Sequence, residues 1–163
     1  MFALTVWQPW AFVISEGLKL IENRDWLPNW RQLKVGDDLA ITSAVKEPSS
    51  IDMKAMRAAV RAMGATLPAN FQSSIDAPFG RGRVVAVVRF AGVAHSLEDL
   101  PETQRPWWRG KYAWQFENVR QFDLGSAPRV LGQQGLWPLQ GVEDLVRRKL
   151  EKHNEGQLWR KTA

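Results

Sequence analysis

Val84-Val85-Ala86-Val87-Val88-Arg89-Phe90-Ala91-Gly92-Val93, led in by Arg81-Gly82-Arg83, is the strongest strand signal in the chain and decides its class. The run is rich in β-branched residues and has no helical period, so it reads as the central strand of a sheet. Three further segments read as strands around it. Leu39 to Ala44 follows a Val35-Gly36-Asp37-Asp38 turn, Tyr112 to Val119 alternates aromatics with other residues, and Ala3 to Val6 is a short apolar run. Lys19 to Trp26 also suits a strand, with Lys19, Ile21 and Asn23 on one side and Leu20, Glu22 and Arg24 on the other.

Helices fill the intervals. Pro9 suits a first helical turn and Gly17 a C-terminal stop, which brackets a helix over Trp10 to Glu16. Ser50 to Met63, closed by Gly64, carries Lys54, Arg57 and Arg61 along one face, and Val142 to Lys152 is a charged amphipathic helix. Thr66 to Gly80 is polar with two prolines and reads as a loop or lid. Ser96 to Glu102 reads as an acidic turn or helix. Trp107 to Gly110 and the glycine-bracketed stretch from Gly132 read as loops, the latter running into a short apolar segment. No βαβ repeat is present, so the expected architecture is α+β, a small mixed or antiparallel β-barrel flanked by helices. One domain over residues 1–152 is expected, with 153–163 a flexible tail.

Composition narrows the chemistry. The absence of cysteine removes disulfides, zinc-thiolate sites and thiol nucleophiles, and His95 and His153 are the only imidazoles. No metal and no cofactor is expected, and His95 reads as a strand-end residue. No run approaches the roughly 20 apolar residues that cross a bilayer, and Met-Phe-Ala-Leu-Thr at the start has no signal-peptide character, so a cytoplasmic protein without membrane partners is expected. A net charge of +5 favours polyanionic partners. Nine tryptophans against one tyrosine supply flat rings that bury well or stack on bases.

Four pieces together resemble the ASCH (activating signal cointegrator homology) family of the PUA-like superfold. They are Gln8-Pro9-Trp10-Ala11, the spacing Gly17-x-Lys19-x-x-Glu22-x-Arg24, the strand after Arg81-Gly82-Arg83, and Tyr112-Ala113-Trp114 followed by Gly132-Gln133-Gln134-Gly135-Leu136-Trp137. The resemblance implies a barrel with a cleft lined by the Lys19-Glu22-Arg24 motif and a role in RNA metabolism. Some relatives resemble amidohydrolases of N4-acetylcytidine, some are ribonucleases and others only bind nucleic acid. In the amidohydrolases a threonine occupies the position of Glu22 and a catalytic glutamate comes later, for which Glu98 is the nearest match by position.

Lys19, Glu22 and Arg24 are the candidate catalytic residues. Arginine grips an anion through paired hydrogen bonds, lysine is a mobile point charge, and a lysine crowded by Arg24 and desolvated has a lowered pKa suited to nucleophilic or base chemistry. An ion pair that merely fixes the strand is the plain alternative. Metal-free cleavage of RNA needs a base for the 2′-hydroxyl, a cation for the phosphorane and an acid for the 5′-oxygen, roles these three residues cover. Ser43 and Gln134 are candidates for holding a phosphate or a base edge. Trp10, Trp107, Trp108 and Trp114 are candidates for base stacking beside Arg105, Arg109 and Lys111. The expected partner is RNA, single-stranded by preference, or a nucleotide-sized anion, with DNA a further candidate. The expected function is RNA interaction with cleavage as one outcome; a modified-nucleoside amidohydrolase and a non-catalytic regulatory module are its rivals.

Overall fold

The computed structural model describes residues 1–76, 80–123 and 125–161, with backbone only from residue 153. Six strands form one sheet: β1 (Phe2–Val6), β2 (Ile21–Arg24), β3 (Asp38–Ser43), β4 (Arg83–Ala94), β5 (Tyr112–Gln121) and β6 (Leu136–Pro138), in the order β2-β5-β4-β3-β1-β6. β1 pairs with β3 in parallel, and every other neighbour is antiparallel. The class is therefore α+β with a mixed sheet, as expected. The barrel is a half-barrel: β2 and β6 are its free edges, and register shifts at Ile41/Thr42, Val87/Arg89 and Phe90/Gly92 coil it.

β4 is central because both of its faces are covered. Val85, Val88 and Phe90 point into a cluster with Leu4, Val6, Leu39, Ile41 and Trp114, whereas Val84 and Val87 point into a second cluster with Ala3, Ala40, Trp137 and Val146. A strand buried on both sides needs apolar residues at consecutive positions, which is why the run does not alternate. Helix α1 (Trp10–Ser15) is buried along nearly its whole length and fills the first face. Helix α4 (Glu143–Lys161) closes the second through Val146 and Leu150. It continues past the expected end at Lys152, and the tail expected over 153–163 lies where side chains, and the last two residues entirely, are outside the description.

A third cluster joins α1 to α2 (Ser50–Ala62) and α3 (Phe71–Ile75) through Phe12, Val13, Met56, Val60, Phe71 and Trp107. Ser49 caps α2 by accepting from the Asp52 amide, and Lys54, Arg57 and Arg61 lie exposed on its outer face, as the pattern predicts. α3 corrects the loop expected over 66–80: Phe71 packs edge-on against Phe12 at 5.2 Å, enough to order a short helix in a polar stretch. Residues 77–79 lie outside the description.

The chain between Gly17 and Ile21 also departs from expectation. Gly17 takes the left-handed conformation (φ 72°), and the amides of Leu18 and Lys19 both donate to the Val13 carbonyl, wrapping the end of α1. The strand starts at Ile21, so Lys19 does not share the alternation that would set it opposite Glu22.

Candidate functional site

Because Lys19 is wound back against α1, its ammonium meets Glu22 across the start of β2, with Nζ donating to Oε2 at 2.5 Å. Arg24 stands two residues along the same strand face, and its Nη2 lies 3.5 Å from the other carboxylate oxygen. The three motif residues thus form one chain of charge with Glu22 in the middle. Lys19 is only 2% exposed. Its burial holds the ammonium below the usual lysine range; the charge and hydrogen bond of Glu22 oppose that and the nearby Arg24 adds to it.

Lys19 and Glu22 open onto a pocket of about 250 Å³ whose wall also includes Trp10, Asn23, Asp52, Trp107 and Arg109. Trp10 stands between two of the charges. Lys19 Nζ lies 5.7 Å from its ring centroid, and its indole Nε1 donates to Asp52 Oδ1 at 3.3 Å. Ser49 Oγ donates to the other Asp52 oxygen at 2.6 Å, so that carboxylate is held from two sides. Asn23, on the reverse side of β2, fixes the rim by donating to the Trp107 carbonyl and accepting from the Arg109 amide. The pocket therefore carries a depressed-pKa lysine, two carboxylates, an arginine and two indoles, which is enough for proton transfer on a small polar ligand.

Sequence reasoning missed Asn23 and Asp52 as site members and named Arg109 only as a cation beside the tryptophans. Asp52 sits three residues after the Ser49 cap, where an acidic residue is explained by the helix start alone. Nothing in the sequence brings that helix start to β2.

The remaining expected residues part company. Arg24 and Gln134 line a second, larger cleft of about 580 Å³. Trp114 is wholly buried, packed between Trp26 and Phe90, so it offers no stacking face. Trp107 closes a 3₁₀ segment (Glu102–Trp107) and is 2% exposed, its Nε1 donating to the Leu18 carbonyl; it is a wall of the pocket and no free platform. Trp108 is half-buried against the same cluster. Ser43 is 1% exposed at the end of β3, where its hydroxyl bonds the Arg83 backbone, which removes it from either cleft. Glu98 lies on a 3₁₀ turn (Leu97–Asp99) and is not among the residues lining these clefts. His95 follows directly on β4, edge-on to Tyr112, as a strand-end residue.

Among the described residues no cluster of three His, Cys, Asp or Glu could hold a metal ion, and no helix is long and apolar enough to cross a membrane. No family model and no curated protein matches the chain. Solved structures similar to it include ASCH proteins. A tyrosine-to-phenylalanine variant of the ASCH protein from Zymomonas mobilis is 13% identical, with 90% of this chain and 96% of that one covered at a TM-score of 0.46. A serine-to-alanine variant is 14% identical, covering 91% and 94% at 0.45, and the Zymomonas mobilis ASCH protein itself is 14% identical, covering 90% and 93% at 0.42.

Proposed function

We propose that the chain is an RNA-interacting protein whose Lys19-Glu22 pocket receives one nucleotide of a single strand and cleaves it without a metal. The observation that carries this reading is the direct Lys19-to-Glu22 contact, buried at the back of a nucleotide-sized pocket. The net charge of +5, the exposed cations of α2 and the likeness of the Lys19-Glu22-Arg24 spacing to a motif of RNA metabolism support it.

In this reading Glu22 takes the proton of the 2′-hydroxyl, the 2′-oxygen attacks phosphorus, and the 5′-oxygen leaves with a proton from Lys19. The products are a 2′,3′-cyclic phosphate and a 5′-hydroxyl. A lysine with a lowered pKa is a stronger acid than an ordinary one, which suits it to protonate the leaving oxygen. Glu22 then hands its proton straight back across the 2.5 Å contact, restoring both groups. Arg109 balances the charge of the phosphorane from the pocket wall, and Arg24, 3.5 Å from Glu22, adds positive charge nearby.

A second reading, hydrolysis of a modified nucleoside such as N4-acetylcytidine, draws on the same pocket: Asp52 supplies there the second carboxylate that Glu98 does not. Titration of labelled single-stranded RNA with the protein at two salt concentrations tests the first reading. Binding that weakens with salt and weakens further in Arg109→Ala is expected; a salt-independent signal, or none, overturns it.

A further inference from the structure

The second cleft belongs to none of the roles above except through Arg24 and Gln134. It lies where β1 and β3 end and the glycine-bracketed loop 131–135 folds over them, and it is lined by Trp7, Trp26, Lys46, Arg24 and that loop. Trp7 is 54% exposed and Trp26 36%, whereas Trp107 and Trp114 are buried almost completely and Trp30, 48% exposed, lies outside the cleft. Each of the two cleft rings has a cation beside it: Lys46 Nζ sits 4.1 Å from the Trp7 centroid, and the Arg24 guanidinium carbon 5.9 Å from that of Trp26. The described lining residues include no carboxylate. Glu22, on Arg24, and Glu47, 3.4 Å from Arg81, are the acids paired with neighbouring cations.

Two further features mark a built site. Arg24 donates one Nη to a backbone carbonyl, yet its Nε is buried with no acceptor among the described residues. The loop that carries the exposed Gln133 and Gln134 is held down on β1 by Gly132, where a Cβ would meet the Thr5 side chain at 2.6 Å. Exposed indoles flanked by cations, with amide side chains at the edge, are what stacking and edge recognition of unpaired bases require.

We propose that this cleft is a base-stacking subsite of the same single-stranded RNA, holding nucleotides that flank the one at Lys19. The inference rests on the RNA reading above and extends it. Glu22 lines the first pocket and lies 3.5 Å from Arg24, which lines the second, so the two are one ion pair apart and a strand in one reaches the other. Trp7 and Lys46 set the affinity for oligomers and do not touch the reacting atoms.

The test is fluorescence anisotropy with a labelled pentauridylate and an abasic chain of equal length, for wild type, Trp7→Ala, Lys46→Met and Arg109→Ala. Trp7→Ala is expected to weaken pentauridylate roughly five- to hundredfold and to leave the abasic chain nearly unchanged. Lys46→Met, an independent variant on the exposed surface, is expected to weaken both. Equal affinity of wild type for the two chains, or of wild type and Trp7→Ala for pentauridylate, overturns the stacking subsite while weaker binding by Arg109→Ala keeps the RNA reading. No binding of either chain by the wild type overturns both.

Discussion

Arg24, on the edge strand β2, donates from Nη2 to the main-chain carbonyl of Thr5 at 3.0 Å, although β1 lies four places away in the sheet order. The half-barrel is rolled far enough for one side chain to span its open seam. The same guanidinium lies beside Glu22 and beside Trp26, so the residue that spans the seam lines the second cleft and pairs with a carboxylate of the first.

Arg24→Met removes this charged bridge across the seam and leaves the Thr5 carbonyl without its side-chain donor. Loss of about 1–3 kcal/mol of stability is expected, measured by urea unfolding, with faster hydrogen exchange at β2 amides than at β4. Uniform change across the sheet would show that Arg24 does not close the seam.

Lys19 makes stability depend on pH in a defined direction. The unfolded chain keeps its lysine proton up to about pH 10.4, while burial makes the folded chain shed it earlier. Between those two values the unfolded state binds more protons, so stability rises with pH there and is flat on either side. Unfolding free energies from pH 7 to 10.5 are expected to climb for the wild type relative to Lys19→Met, and parallel curves would contradict the burial penalty. Cleavage, which needs the protonated lysine, is expected to fall over the same window.

Gly132→Ala drives a Cβ into Thr5, whose hydroxyl is already within hydrogen-bond distance of Trp137 Nε1 and Thr42, both at 3.1 Å. A cost of about 1–3 kcal/mol is expected from overpacking, seen as a lower melting temperature, together with weaker oligonucleotide binding as the loop lifts from the cleft. Unchanged binding would detach that loop from ligand contact.

Asp52→Asn keeps the shape and the helix cap but deletes one pocket charge. If RNA cleavage runs through Lys19 and Glu22, its rate is expected to change less than threefold. A loss of a hundredfold or more, in the range of a missing acid or base, on a modified nucleoside would move the chemistry to the second reading.

The strands were legible where burial is two-sided. Val84 to Phe90 could only be central, and Gly17 and Gly64 ended their helices as glycine should. The α3 turn was hidden because its order comes from distant packing, Phe71 on Phe12 and Ile75 buried in the same cluster, in a polar stretch. Lys19 and Glu22 were found by their spacing, and an ion pair between them was the plain alternative; the backbone route to their meeting was not legible, because it depends on amides bonding back to Val13, which no side-chain pattern reports. The tryptophans misled for the opposite reason. Trp107 and Trp114 look like good platforms in sequence, and only the core packing separates them from the exposed Trp7 and Trp26.

The most direct measurement is a time course of wild type, Lys19→Met and Glu22→Gln on end-labelled single-stranded RNA in chelator, with binding recorded alongside cleavage. The account predicts 2′,3′-cyclic phosphate ends from the wild type, loss of cleavage by a hundredfold or more in each variant, and binding within a few-fold of wild type. Binding without cleavage by the wild type, or cleavage that survives both substitutions, would contradict it.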